Sequence, residues 1–201
     1  MTARTTPWFS MWNQPRSTVR TLIHSRPTFG IYLLSTVYAL QALFFYANWW
    51  SLGLKFNHSA IITTSLLFSP FYAIVWLYFM GYIYYLTGLI FRGKAEPLYL
   101  RTAIAWSKVP YSVNLLMWFA LIFANPGYVF IQDSQGPSSI FVSLIALIVG
   151  GWSFVLLVQS VREVQHFSTI KALLNVILAW IASGIIYFLI FSVIRYLYLL
   201  Y

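Results

Sequence analysis

Five apolar stretches, each long enough to cross a bilayer, dominate this chain; they fall at about 30–50, 60–91, 102–124, 139–161 and 170–194. A helix needs roughly 20 apolar residues to cross the ~30 Å hydrocarbon core. Only 7% of the residues are charged, against roughly 25% in soluble domains, so most of the surface cannot face water. The sequence predicts an all-α polytopic membrane protein. A five-transmembrane-helix bundle (30–201) follows a basic leader (1–29), which forms a short N-terminal interfacial amphipathic helix.

In the leader, Pro15 suits the first position of a helix, with Asn13 or Gln14 as its cap. Val19, Leu22 and Ile23 then share one face, and Arg16, Arg20 and His24 recur at spacing four on the other. With Trp8, Phe9 and Trp12 before it and Pro27 after it, this reads as one helix lying in the headgroup plane. The first apolar run starts near Gly30 and has no small-residue cleavage site, so the leader is not a cleaved signal. Span two, at 60–91, would measure roughly 48 Å and must tilt, protrude or kink, with Pro70 as the kink point. Tyr82, Tyr84 and Tyr85 suit an interfacial belt there.

Charge fixes the expected orientation. The leader carries four Lys or Arg, the segment after span one only Lys55, and the next Arg92, Lys94 and Arg101. The loop after span three, NPGYVFIQDSQGPSS, has none and is the most polar; the connector after span four has Arg162 and Lys171. By the positive-inside rule the N-terminus is cytoplasmic and the short C-terminal tail, near Arg195, lies outside. A net charge of +9 would suggest nucleic acid in a soluble protein. Here the cations lie between apolar runs, where they meet anionic phospholipid headgroups, so no nucleic-acid partner is expected.

Helices in lipid associate through small residues. Span four offers Ser143, Ala146, Gly150, Ser153 and Ser160 with Leu157 on one seam, span five Ala172, Asn175, Ala179 and Ala182, and span three Ala103, Ser107, Pro110 and Asn114. Spans four and five are expected in direct contact; a homodimer built on one seam, or docking to other membrane proteins, is the rival use.

No histidine or acid lies within a span to serve as a catalytic base, so no enzyme is expected and no catalytic residue is assigned. His24 and His166 fall on the opposite side from His58, and no cysteine is present, so neither a metal nor another cofactor is expected. A candidate polar site inside the membrane comprises Lys108, Ser107, Pro110, Asn114, Gln41 and Asn48. Lys108 lies roughly 10 Å deeper than Arg101. Its stem can snorkel toward the headgroups, pair with Glu163 or Glu96 or with backbone carbonyls, or touch a substrate; Pro110 frees the carbonyl of Trp106. Gln41, Asn48, Asn114, Gln159 and Asn175 serve either as interhelical hydrogen bonds or as a polar path. A second candidate surface is a basic face of Arg16, Arg20, Arg26, Arg92, Lys94 and Arg101, with Trp8 and Trp12 at the interface.

Three stretches, WNQPRSTVRTLIHSRP, AWSKVP and LLVQSVREVQHFSTIKALLNVILA, resemble the bacterial branch of the Yip family, whose eukaryotic members are named for interaction with Ypt/Rab GTPases. The resemblance implies five spans, a cytoplasmic N-terminus, a short external tail and a bacterial inner-membrane location. Eukaryotic members carry a long cytosolic N-terminal region where this chain has about 29 residues, so Rab binding is not carried over. Two functions stand as expectations: a non-enzymatic protein that organises lipid or partners through its basic face, and a small transporter or channel using the intramembrane polar residues.

Overall fold

A computed structural model describes residues 6–132 and 138–200. Arg4 of the leader and Asp133 of the polar loop lie outside the described residues. Every regular element is helical: α1 (Pro7–Asn13), α2 (Pro15–Ser25), α3 (Ile31–Trp49), α4 (His58–Ile90), α5 (Pro97–Ser107), α6 (Tyr111–Ala124), α7 (Ser138–Gln165) and α8 (Thr169–Leu200), with a 3-10 turn at Leu52–Leu54. Four helices (α3, α4, α7 and α8) are each long and apolar enough to cross a membrane. The α5–α6 pair, bent by 46°, makes a fifth crossing when counted as one span.

The leader differs from its expected form. It folds as two helices rather than one, because Pro7 and Pro15 each open a helix where their missing N–H costs nothing. It also packs on the bundle: Met11, Val19 and Leu22 are buried in the main core with the ends of α4, α5 and α7, while Phe9 is exposed. Gly30, in the left-handed region at φ +70°, then turns the chain into α3, and a Cβ there would meet the Trp106 ring at 3.1 Å.

Pro70 does not break its helix, and α4 runs through it as one 33-residue element. The carbonyl that Pro70 leaves without a donor belongs to Leu66, and the Ser69 hydroxyl donates to it at 3.1 Å. Span three does break. α5 stops at Ser107, residues 108–110 form a turn, and α6 starts at Tyr111.

The packing falls into two clusters. One unites the leader with the adjoining ends of α3, α4, α5, α7 and α8. The other, around Phe44, Trp118 and Phe130, lies at the opposite end. The loop expected to be the most polar contributes Val129 and Phe130 to it, both buried. Asn48 draws that loop in by donating to the carbonyls of Val129 (3.0 Å) and Ile131 (3.3 Å). α7 and α8 touch as expected, with Phe154 against Trp180. The seam of α8 also meets α4, where Thr87 donates to Asn175 Oδ1 at 2.6 Å.

Candidate functional site

The broken span packs against α2, α3, α4 and α7. Trp106 is 3% exposed; its indole N–H donates to the Phe29 carbonyl at 3.0 Å and its ring stacks on Phe29. Thr102, one turn earlier, donates to the Pro27 carbonyl at 2.6 Å. The leader's exit is thus fixed to α5. At the turn, the amide of Val109 takes the Trp106 carbonyl and that of Tyr111 bonds Lys108 instead of Ser107. The Ser107 carbonyl so released accepts the Ser153 hydroxyl of α7 at 2.9 Å. Beyond the turn Asn114 donates to Gln41 of α3.

Lys108 pairs with neither Glu163 nor Glu96. Its ammonium sits among three rings from three helices, 4.7 Å from the centroid of Tyr38, 5.1 Å from Tyr111 and 5.7 Å from Trp76. Tyr38 lies seven residues into α3, roughly 10 Å from its start, so the ammonium is held at depth rather than carried back to the headgroups. The face of each ring carries partial negative charge and replaces the missing carboxylate, worth roughly 0.5–2 kcal/mol.

Gln41, Asn48 and Asn114 come together on a cavity of about 530 Å³ between α3, α6 and α7. Tyr38 and Tyr111 form its inner wall, with the Lys108 ammonium behind them. Asn175 belongs elsewhere, against Thr87. The five amides therefore do not form one path. Asn48, Asn114, Ser153 and Thr87 instead each make a separate bond across elements.

The basic face divides into four parts. Arg16 and Arg20 converge on Glu163, itself only 5% exposed, at 3.0 and 2.6 Å. The Glu163 hydrogen bond and charge raise the Arg20 pKa above its already high ordinary value. These two arginines clasp the leader to the end of α7, where the single Glu163 carboxylate offsets one of their two charges. Arg101 folds over the Tyr78 ring at 4.2 Å. Arg26 is exposed. Arg92 and Lys94 face a separate cavity of about 320 Å³, together with His166 and Lys171, which the sequence reading had not placed there.

That second cavity lies where α4 and α7 end side by side. In α4 the amides of Arg92 and Gly93 bond the carbonyls of Leu89 and Gly88; in α7 those of His166 and Phe167 bond Glu163 and Arg162. Both are the helix-ending pattern that places one residue in the left-handed region, where glycine is usual. Here the residues are Arg92 (φ 61°) and His166 (φ 57°), at a cost of about 1–2 kcal/mol for a side chain such as arginine. Phe91 meets Phe167 edge to face. Gln165 lies so close over Gly88 and Gly93 that a Cβ on either would collide with its amide, and it accepts the Ala95 amide at 3.1 Å.

His24 and His166 lie at the leader end and His58 opens α4 at the other. Among the described residues no three His, Asp or Glu side chains come together.

A bundle of apolar helices, crossed by a broken span and carrying most of its cations at one end, defines an integral, polytopic membrane protein. The family model of the Yip1 domain matches residues 9–191, nearly the whole chain. The chain belongs to the Yip1 domain family. No curated protein and no solved structure matches it.

Proposed function

We propose that this is a non-enzymatic, membrane-organising protein that engages anionic phospholipid with its basic end. The observation that supports it is the axial asymmetry of the bundle. The leader, the α4–α5 loop and the α7–α8 junction are joined at one end by Arg16–Glu163 and Ala95–Gln165. That end carries Arg92, Lys94, Lys171 and the exposed Arg26. The opposite loops, 50–57 and 125–132, carry only Lys55. On the positive-inside rule the basic end faces the cytoplasm, the N-terminus is cytoplasmic and the C-terminus lies outside, in a bacterial inner membrane. Each cation near such a surface adds roughly 1 kcal/mol of attraction to anionic lipid.

The test is lipid selectivity around the whole protein in mixed bilayers. Spin-labelled phosphatidylglycerol is expected to be enriched over phosphatidylcholine in the immobilised lipid fraction. The enrichment should shrink as salt shortens the screening length. Equal immobilisation of the two lipids at low salt would remove this reading.

A second reading is favoured by the 530 Å³ cavity lined by Gln41, Asn48 and Asn114 beside the broken span, a combination that transporters use for substrates. Flux of labelled ions or lipids in proteoliposomes, lost in Asn114→Leu, would support it. Absence of any flux in the native protein would discard it.

A further inference from the structure

We infer that the cavity between the ends of α4 and α7 and the start of α8 binds the phosphate of one anionic phospholipid headgroup. This rests on the reading of the basic end as lipid-facing, and narrows it to a single site.

Arg92, Lys94, His166 and Lys171 border the cavity, and no carboxylate does. Among the described residues the ion pairs are those of Arg16 and Arg20 with Glu163, so the cavity's cations have no internal acid. Attraction to the negative end of a helix would account for Arg92 and His166, which close α4 and α7. It does not account for Lys171. That residue sits in the first turn of α8, the positive end of a helix, where a cation is disfavoured. It also does not explain why arginine occupies the left-handed position of the α4 terminus, which glycine would fill without strain. Like charges, an opposed helix dipole and a strained backbone are three unfavourable features gathered in one place. An anion in the cavity relieves the first two, and binding it is a reason for the third.

Donors suited to phosphate are present: a planar guanidinium, two ammonium groups and an imidazole. The Ser168 hydroxyl is on the rim but already accepts the Lys171 amide at 3.4 Å. The surroundings select a lipid rather than a free ion. Ile90 and Ile170, each one residue from the cavity lining in sequence, are 68% and 71% exposed and offer apolar surface to acyl chains.

The experiment uses the full chain in detergent micelles, titrated with short-chain phosphatidylglycerol, phosphatidylcholine of equal chain length, or inorganic phosphate. Retained lipid is read by native mass spectrometry and thermal stability is followed in parallel. One phosphatidylglycerol is expected to be retained in preference to phosphatidylcholine. Arg92→Gly, Lys94→Gln and Lys171→Gln are each expected to weaken it about fivefold, and the three together roughly a hundredfold. Arg26→Gln, at the same end but outside the cavity, should change it by less than about twofold. Arg92→Gly is the decisive variant, since it relieves the backbone and should not lower the thermal stability of the lipid-free protein. If the native protein prefers phosphatidylglycerol and the triple variant keeps that preference, the pocket is wrong while the basic-end reading stands. If the native protein shows no preference, both fail. Protection by inorganic phosphate equal to that by phosphatidylglycerol would overturn the lipid assignment.

Discussion

Pro70 and Pro110 both stand inside apolar stretches, and both remove a donor from the carbonyl four residues earlier. Around Pro70 the helix continues; before Pro110 it ends and restarts at an angle of 46°. Pro70 is exposed on the bundle's outer face and Pro110 is buried. The Leu66 carbonyl is satisfied within its own helix by Ser69. At the second site the backbone groups released by the turn are shared with neighbours, most clearly Ser107 with Ser153. A proline thus opens a helix where other elements can use what it releases, and leaves it whole where a local hydroxyl suffices.

Four single substitutions would break or sharpen that contrast. Trp106→Ala removes the stacked ring and the bond that ties the leader's exit to the broken span. It should cost about 3 kcal/mol, seen as a large drop in unfolding temperature in micelles. Ser153→Ala should cost about 1–1.5 kcal/mol and should not be rescued by Pro110→Ala, because the Tyr111 amide that would serve Ser107 is engaged with Lys108. Spin labels at Leu98 and Leu116 should report the same separation in Pro110→Ala as in the native chain. A straightened span would show that the proline alone makes the break. The smallest effect, about 0.6 kcal/mol, is expected for Ser69→Ala, and it should vanish in the Ser69→Ala/Pro70→Ala double variant, whose restored amide can reach Leu66. A cost that persists there would place the Ser69 effect outside the backbone bond.

The parts of this architecture legible in sequence are those written locally. Run length gave the number of crossings, and the order of Gln-Pro-Arg, Ser-Lys-Val-Pro and Val-Gln-His-Phe gave the family. AWSKVP coincides with the break between α5 and α6, and Ser153 of the α7 seam bonds to it. What it does depends on residues far away in the chain: Phe29 for Trp106, Ser153 for Ser107, and the Tyr38 and Trp76 rings for Lys108. The basic face was misjudged for the same reason, since nothing near Arg16 or Arg20 foretells Glu163. In sequence, His166 and Lys171 stand at the α7–α8 junction with nothing local that ties them to Arg92. The signal that could have joined them to Arg92 was the pair Gly88 and Gly93, small residues leaving a slot for Gln165.

The clasp of Arg16 and Arg20 on Glu163 joins residues 147 and 143 positions apart. At ordinary synthesis rates the ribosome needs roughly 7–30 s to cover that interval. Throughout it the two arginines have emerged and their carboxylate does not yet exist. They remain cations without that partner while α3, α4, α5, α6 and most of α7 are made. Glu163 then arrives with the last third of the chain and claims them for the fold. The same two side chains are therefore uncompensated cations for most of synthesis and become part of the architecture only once Glu163 has been made.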